Sequence, residues 1–370
     1  MTGIYIHVPF CLRKCLYCSF YSLRYDEERA RRYTETICRN ISSYKGRAIG
    51  ADTVYFGGGT PSLLSAGQVS KILDCCADTF VLSSPEVTLE ANPGTVDVKK
   101  LRDLRSAGVG RLSFGIQSAS DERLKMLGRA HRFDEGQNAV IQAYSAGFEH
   151  ISCDVMLGLC AGGGELEETI KKITELPIDH VSAYMLKREE GTPFAGKQYD
   201  GLVADEELLC EEYLSCVRLL AERGFEQYEI SNFALNSHAR SKHNLKYWHG
   251  EEYLGFGPAA HSFFDGVRYC CPEDLDSFIN SPLQQQTVLE RDPDRGEEYL
   301  MLGLRLTEGI RLEKVGELFS GRGEERVRRL ARELCRAGYA EMSGDRLSLL
   351  PEGFLISNTI ICELIDAASG

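Results

Sequence analysis

Gly3-Ile4-Tyr5-Ile6-His7-Val8-Pro9-Phe10-Cys11-Leu12-Arg13-Lys14-Cys15-Leu16-Tyr17-Cys18 runs from a short apolar strand into a loop carrying three cysteines. Ile4, Tyr5, Ile6 and Val8 make the strand, and Pro9 stops it, because proline removes a ladder donor. The thiols therefore sit at a strand's C-terminal end. At this spacing three thiols can converge on one metal centre, each ionised by the metal and turned inward. They are three ligands, not four. A cubic iron–sulfur cluster held by three cysteines keeps one iron open to a small molecule, as catalytic zinc sites keep a position open for substrate. Two plainer readings share the spacing: a structural zinc loop lacking its fourth ligand, and a reduced thiol pair.

Beyond this stretch the pattern repeats. Asp26 to Tyr44 has Tyr33, Ile37, Ile41 and Tyr44 at helical spacing, and Thr53 to Phe56 forms a second strand ending in Gly57-Gly58-Gly59-Thr60-Pro61. Helix Ser65 to Thr79, strand Val87 to Glu90 and helix Val96 to Ser106 follow. Arg111 to Gly115, Ile151 to Met156 and His180 to Leu186 supply strands four to six, with helices Asp134 to Ala146 and Leu166 to Leu176 between them. Alternating strands and helices predict an α/β fold, a parallel sheet curled by right-handed crossovers into a partial or complete (β/α) barrel. Functional groups in such folds gather at the C-terminal ends of strands. That rule selects Cys11 to Cys18, Gly57 to Thr60, Glu90, Gln117 and Asp154. Singly, each has a duller explanation: a tight reversal for the glycines, a surface or satisfied buried group for the polar residues, a solvated helix end for Arg129. Together they predict a polar ring.

The 370 residues suffice for a large catalytic unit and a smaller one, which the sequence divides into 1–282, a linker at 283–295 rich in Gln, Pro and Asp, and 296–370. In the last part Val327, Leu330, Ala331 and Leu334 mark a helix face. Tyr339 to Met342 and Leu347 to Leu349 flank a Ser343-Gly344-Asp345 turn, a helix-then-hairpin order resembling a winged helix. The helix carries Arg326, Arg328, Arg329, Arg332 and Arg336, but Glu324, Glu325 and Glu333 interleave with them, the mix of a solvated or docking face. A net charge of −13 argues against nucleic acid as partner. No window has the apolar length of a membrane span, and Met1 leads into the first strand without an export signal. Fourteen cysteines then point to a reducing compartment, the cytoplasm by default, with thiols as ligands or small core residues. Between the barrel pattern and the linker, Tyr228 to Phe233, Ser241 to Trp248 and Tyr253 to His261 are dense in aromatics and histidines. They read equally as an aromatic core layer and as a site for a flat hydrophobic ligand with histidine as metal ligand.

With these residues in hand, the chain resembles the radical S-adenosylmethionine superfamily, and within it the coproporphyrinogen-dehydrogenase-like branch and its HemW-type heme chaperones. The motifs that carry the resemblance are Tyr5 to Cys11 with the cysteine loop, Gly57 to Pro61, Ser113-Phe114-Gly115-Ile116-Gln117-Ser118, Tyr228 to Phe233, His243-Asn244 with Tyr247-Trp248, and the small C-terminal domain. The resemblance implies that Cys11, Cys15 and Cys18 hold a [4Fe–4S] cluster whose open iron is chelated by S-adenosylmethionine. It further implies that Gly58, Gly59, Thr60, Tyr5, Tyr17, Glu90, Gln117, Arg129 and Asp154 contact that cofactor. Glycines permit close backbone approach, carboxylates suit ammonium, sulfonium or ribose hydroxyls, and arginine suits a carboxylate. The chemistry implied is reductive cleavage of the sulfonium, the protein supplying position and electrostatics.

Two features separate enzyme from chaperone in this branch. The decarboxylating enzyme carries a substantial segment before the cluster loop and a further cysteine two residues after the third; here Cys11 is near the start and Phe20 holds that position. Both favour a chaperone that binds heme and passes it to recipient hemoproteins, with His243 of the His-Asn-x-x-Tyr motif as candidate axial ligand. The rivals are an oxygen-independent coproporphyrinogen III oxidase and, less favoured, a tRNA-modifying enzyme; homodimerisation and the use of radical chemistry in turnover stay open. One departure is visible. The Gly-Leu-Pro-Gly turn expected after strand five reads Gly158-Leu159-Cys160-Ala161, which leaves Cys160 as a buried thiol or a fourth ligand.

Overall fold

The computed structural model describes residues 1–159, 165–321 and 323–370. Its first strand, β1 (Thr2–Val8), buries Ile4, Ile6 and Val8 completely on one face, while Tyr5 and His7 point to the other by the two-residue alternation of a strand. Helix α1 (Glu27–Ser42) covers the apolar face with Tyr33, Ile37 and Ile41, and begins where the Asp26 side chain accepts a hydrogen bond from the Arg29 amide. The unit then repeats through β2 (Gly50–Gly58), α2 (Ala66–Thr79), β3 (Val81–Ala91), α3 (Val98–Ser106), β4 (Arg111–Gln117), α4 (Phe133–Ser145), β5 (His150–Leu157), α5 (Glu165–Thr174) and β6 (His180–Met185). β1 to β6 pair in sequence order, all parallel.

Helix α6 (Glu206–Ala221) leads to β7 (Asn232–Ala234), which returns antiparallel beside β6. Helix α7 (Lys242–Trp248) leads to β8 (Tyr253–Phe256), which pairs parallel with β1 on its other side. From β8 a meander of β9 (His261–Phe264), β10 (Val267–Cys270) and β11 (Thr287–Arg291) extends the sheet antiparallel. With a two-residue strand at Glu226–Gln227, antiparallel to β7 at the sheet's end, twelve strands form this sheet among the described residues, and its end strands do not pair with each other. The expected barrel is thus realised in its partial, open form.

The stretch expected as a linker, 283–295, instead contributes β11 to the sheet edge. Its centre, Thr287-Val288-Leu289, has β-branched and apolar residues suited to a strand, whereas the Gln, Pro and Asp around it give a connector's composition. The C-terminal unit follows with α8 (Arg295–Gly303), α9 (Leu312–Leu318), α10 (Glu324–Ala337), the hairpin β12 (Ala340–Ser343) and β13 (Arg346–Leu349), and α11 (Ser357–Ser369). The hairpin turns on Gly344, at φ 62°, and Asp345. Arg328 of α10 pairs with Glu324 at 3.0 Å on the same helix and with Asp345 of the hairpin turn at 2.9 Å. No helix among the described residues is long and apolar enough to cross a membrane.

Candidate functional site

Register places the polar ring. Tyr5 lies opposite Tyr55, Tyr55 opposite Thr88, Glu90 opposite Ser113, Gly115 opposite Asp154, and Asp154 opposite Ser182. These side chains share one sheet face, opposite the helix-covered one. At the C-terminal end of that face a cavity of about 490 Å³ is lined by Cys11, Cys15, Cys18, Tyr17, Gly58, Gly59, Thr60, Glu90, Gln117, Arg129 and Asp154, among others. The sheet thus brings together nearly every residue singled out from the sequence.

The cysteine loop is pinned at its base and its tip. Phe10–Cys11 pairs in parallel with Leu23–Arg24, and the Leu16 amide donates to the Leu127 carbonyl at 3.1 Å. Beside that anchor, Arg129 donates from Nη1 to Cys15 Sγ at 3.4 Å and from Nη2 to the Gly115 carbonyl and Asn92 Oδ1. Burial pushes the Tyr17 hydroxyl up, the sulfurs of Cys15 and Cys18 adding to the effect while Arg129 opposes it. Burial likewise raises the Cys18 thiol. Among the described residues no group of three or more His, Cys, Asp or Glu side chains is gathered to hold a single metal ion.

The glycine turn crosses directly behind the loop. The Gly59 amide donates to Val8 O at 2.9 Å and the Thr60 amide to Phe10 O at 2.7 Å, so turn and loop entrance share main-chain bonds. Gly58 has φ +103°, a conformation glycine adopts freely, and a Cβ there would meet the His7 ring at 2.6 Å. Thr60 Oγ1 donates to Cys11 Sγ at 3.5 Å and accepts from Asn92 Nδ2 at 2.9 Å.

Glu90 accepts from the Tyr55 hydroxyl at 2.9 Å, and Asp154 from Ser113 Oγ at 3.0 Å. Burial pushes the Glu90 carboxyl up to about 8, with the charge of Asp154 adding to it, and raises Asp154 to about 6 against the hydrogen bonds of Ser182 and Ser113. Neither carboxylate has a cation in a salt bridge among the described residues. Gln117 holds φ +71°, uncommon outside glycine, and its buried Oε1 has no partner among the described residues. Two desolvated carboxylates, an unpartnered amide oxygen and a turn open to backbone approach fit a small cationic ligand with hydroxyl groups. S-Adenosylmethionine, with its sulfonium, ammonium and ribose, has those features.

These shifts set a pH dependence with a definite sign. Unfolded, Glu90 and Asp154 lose their protons near 4.5 and 3.8; folded, they hold them to about 8 and 6. The folded state binds more protons across that window, so ligand-free stability falls as pH rises through it. Thermal unfolding from pH 5 to 8.5 is expected to show the decline, and Glu90→Gln to flatten it. An unchanged slope in that variant would remove Glu90 as the cause.

Two named residues lie apart from the cavity. Tyr5 stands behind it, stacked on Tyr55 with ring centroids 6.2 Å apart, its hydroxyl bonded to His7 Nδ1 at 3.2 Å. His243 is 1% exposed, with Nδ1 bonded to Thr53 Oγ1 at 2.8 Å and Nε2 to the Tyr247 hydroxyl at 2.9 Å. Its ring stacks on Tyr55 at 5.0 Å, and burial lowers its pKa to about 3, with Lys246 adding to the effect. Both nitrogens are committed, so in this structure His243 offers none to a heme iron. His243→Ala is expected to cost about 2–4 kcal/mol of stability, from the lost ring and the stranded Thr53 hydroxyl, measurable by denaturant unfolding. Of the Gly158-to-Ala161 departure, Cys160 and Ala161 lie outside the described residues.

Sequence reasoning missed Asn92, Ser113 and Tyr184. Asn92 joins Arg129 to Thr60 from two residues beyond Glu90, and alternation from Glu90 would have aimed it into the site. Ser113 sits in the strand interior two positions before Gly115, where the same alternation points it inward.

Residues 5–177 match the radical SAM superfamily, and residues 291–356 the HemN C-terminal domain. Heme chaperone HemW of Lactococcus lactis is 31% identical over 97% of this chain and 96% of its own length; that of Escherichia coli is 32% identical over 97% of both. The mitochondrial radical S-adenosyl methionine domain-containing protein 1 of Danio rerio is 33% identical over 86% of this chain and 76% of its own. Coproporphyrinogen III oxidase (HemN) from Escherichia coli shares the fold, with a TM-score of 0.82 over 98% of this chain and 89% of that one at 18% identity. The chain belongs to the radical SAM superfamily and, within it, to the HemW family. Its cofactors are accordingly a [4Fe–4S] cluster and S-adenosylmethionine.

Proposed function

We propose that the protein is a heme chaperone: it binds heme and delivers it to hemoproteins, working in the cytoplasm. The observation that carries this reading is the likeness to heme chaperone HemW along almost the whole chain, including the C-terminal unit we assign to 296–370. In the cofactor site, Cys11, Cys15 and Cys18 are the cluster ligands. The Gly58 to Thr60 turn, Tyr17, Glu90, Gln117, Arg129 and Asp154 position S-adenosylmethionine, and Tyr5 supports Tyr55 from behind. When bound, the cluster supplies one electron to cleave the sulfonium. Of the chain's own groups, Arg129 holds the loop through Cys15, while Glu90 and Asp154 meet positive charge and hydroxyls. Phe20, 63% exposed where the decarboxylating enzyme carries a further cysteine, presents an apolar surface at the cavity.

The test sets chaperone against enzyme. Reduced, cluster-loaded protein is incubated with coproporphyrinogen III and S-adenosylmethionine, and in parallel heme-loaded protein with an apo-hemoprotein. The proposal expects heme transfer and no protoporphyrinogen; turnover to protoporphyrinogen would make the chain a coproporphyrinogen oxidase.

A further inference from the structure

Of the eight histidines in the chain, the structure leaves few able to reach an iron atom. His7, His180 and His243 have both ring nitrogens hydrogen-bonded in the interior. His131 is buried, His150 is held by Asp179 at 2.6 Å, and His249 is held by Glu308 at 3.1 Å. Among the described residues, only His238 and His261 are exposed with no hydrogen bond or ion pair from the ring.

They lie at opposite ends of the sheet. His238 follows β7, whose last residue, Ala234, pairs with His180 at the start of β6; that is the N-terminal edge, away from the cavity. His261 opens β9, which runs antiparallel to β8 and so begins at the C-terminal edge, where the cysteine loop leaves β1. Register also fixes its face. Gly3 pairs with Tyr253, Tyr253 with Phe263, and His261 with Cys270, so His261 projects from the face that carries Tyr5, Tyr55 and Glu90. It stands near His7, whose Nε2 bonds the Tyr21 carbonyl at the end of the cysteine loop. The approach to His261 passes through Ala259 at φ +66°, a conformation uncommon for alanine.

Around this edge lie groups suited to a metal-bearing macrocycle with acidic side arms. Phe20 and Leu12 of the cysteine loop are 63% and 56% exposed, and Arg13 and Lys14 of the same loop are exposed cations. Apolar side chains suit the macrocycle face, and the cations suit its carboxylates. Resting on the heme-chaperone reading, we propose that His261 is the axial ligand of the carried heme. The ring then lies beside the cysteine loop, with its propionates toward Arg13 and Lys14. A neutral, solvent-facing imidazole is a usual ligand for heme iron and needs no rearrangement of the core to serve here.

The test titrates hemin anaerobically into cluster-loaded wild type, His261→Ala, His261→Gly and His238→Ala, following the Soret band and the spin state of the iron. Expected is saturable binding by wild type and His238→Ala, with binding weakened about tenfold or more and an altered spin state in His261→Ala. Free imidazole is expected to restore the wild-type spectrum in His261→Gly, a readout that a general loss of folding would not give. Wild-type affinity and spectrum in His261→Ala overturn the assignment while leaving the chaperone reading intact. Failure of wild type itself to saturate overturns that reading, and the assignment with it.

Discussion

Cys15→Ala is expected to lose its iron and sulfide to background and to stop cleaving S-adenosylmethionine, with the fold intact. Cys15 lies half-exposed on a loop whose anchors are main-chain bonds from Leu16 and from the base strands, so removing its sulfur leaves those bonds in place. What it removes is one of three ligands to a cluster that already has an open iron, and two thiolates do not retain it. Arg129 also loses the sulfur it faces at 3.4 Å, leaving its charge less compensated beside the cofactor. Iron and sulfide analysis after anaerobic reconstitution reads the effect, far-UV circular dichroism reads the fold, and Cys362→Ala, altering an exposed thiol on α11, serves as control. A full cluster in Cys15→Ala would refute the ligand set.

The second large effect is expected from one methyl group. Alanine at position 59 places its Cβ 2.6 Å from Phe10 O and 2.8 Å from Val8 O, both main-chain atoms that cannot swing aside. The turn must then move off β1, breaking the Gly59 bond to Val8 O that ties it to the cysteine loop. We expect a stability loss of about 1–3 kcal/mol and S-adenosylmethionine binding weaker by about tenfold or more, with cluster content retained. Gly94→Ala, where an added Cβ meets nothing within 4 Å, is expected to change neither. Equilibrium binding to the cluster-loaded protein decides it, and wild-type affinity in Gly59→Ala would mean that the turn does not shape the cofactor pocket.

Much of this architecture was legible because it is local. The alternation of Ile4, Ile6 and Val8 with Tyr5 and His7 announces a strand with a covered face and a working face, and the thiol spacing announces a metal centre beyond it. Strand ends then nominate Glu90, Gln117 and Asp154 without any pairing information. The pairings themselves depend on contacts distant in sequence. Nothing near Tyr253–Phe256 says that it joins β1 in parallel, and nothing near Thr287–Arg291 says that it has a neighbour in β10. β3 begins at Val81, well before the Val87 suggested by its apolar run, because Ser84 at φ +43° and Pro85 interrupt the local pattern while the pairing with β2 continues. The histidines show the limit most clearly. His243 and His261 both sit in aromatic-rich segments, and their difference in accessibility comes from Thr53, Tyr55 and Tyr247 closing around one of them.

The heme-chaperone account rests most directly on saturable binding. Cluster-loaded protein titrated anaerobically with hemin should reach a stoichiometric end point, with a Soret band characteristic of ligated rather than free heme. Absorbance that grows with added hemin, without saturation and with the spectrum of free heme, would contradict the account and leave the cysteine loop as the centre of a radical enzyme acting on another substrate.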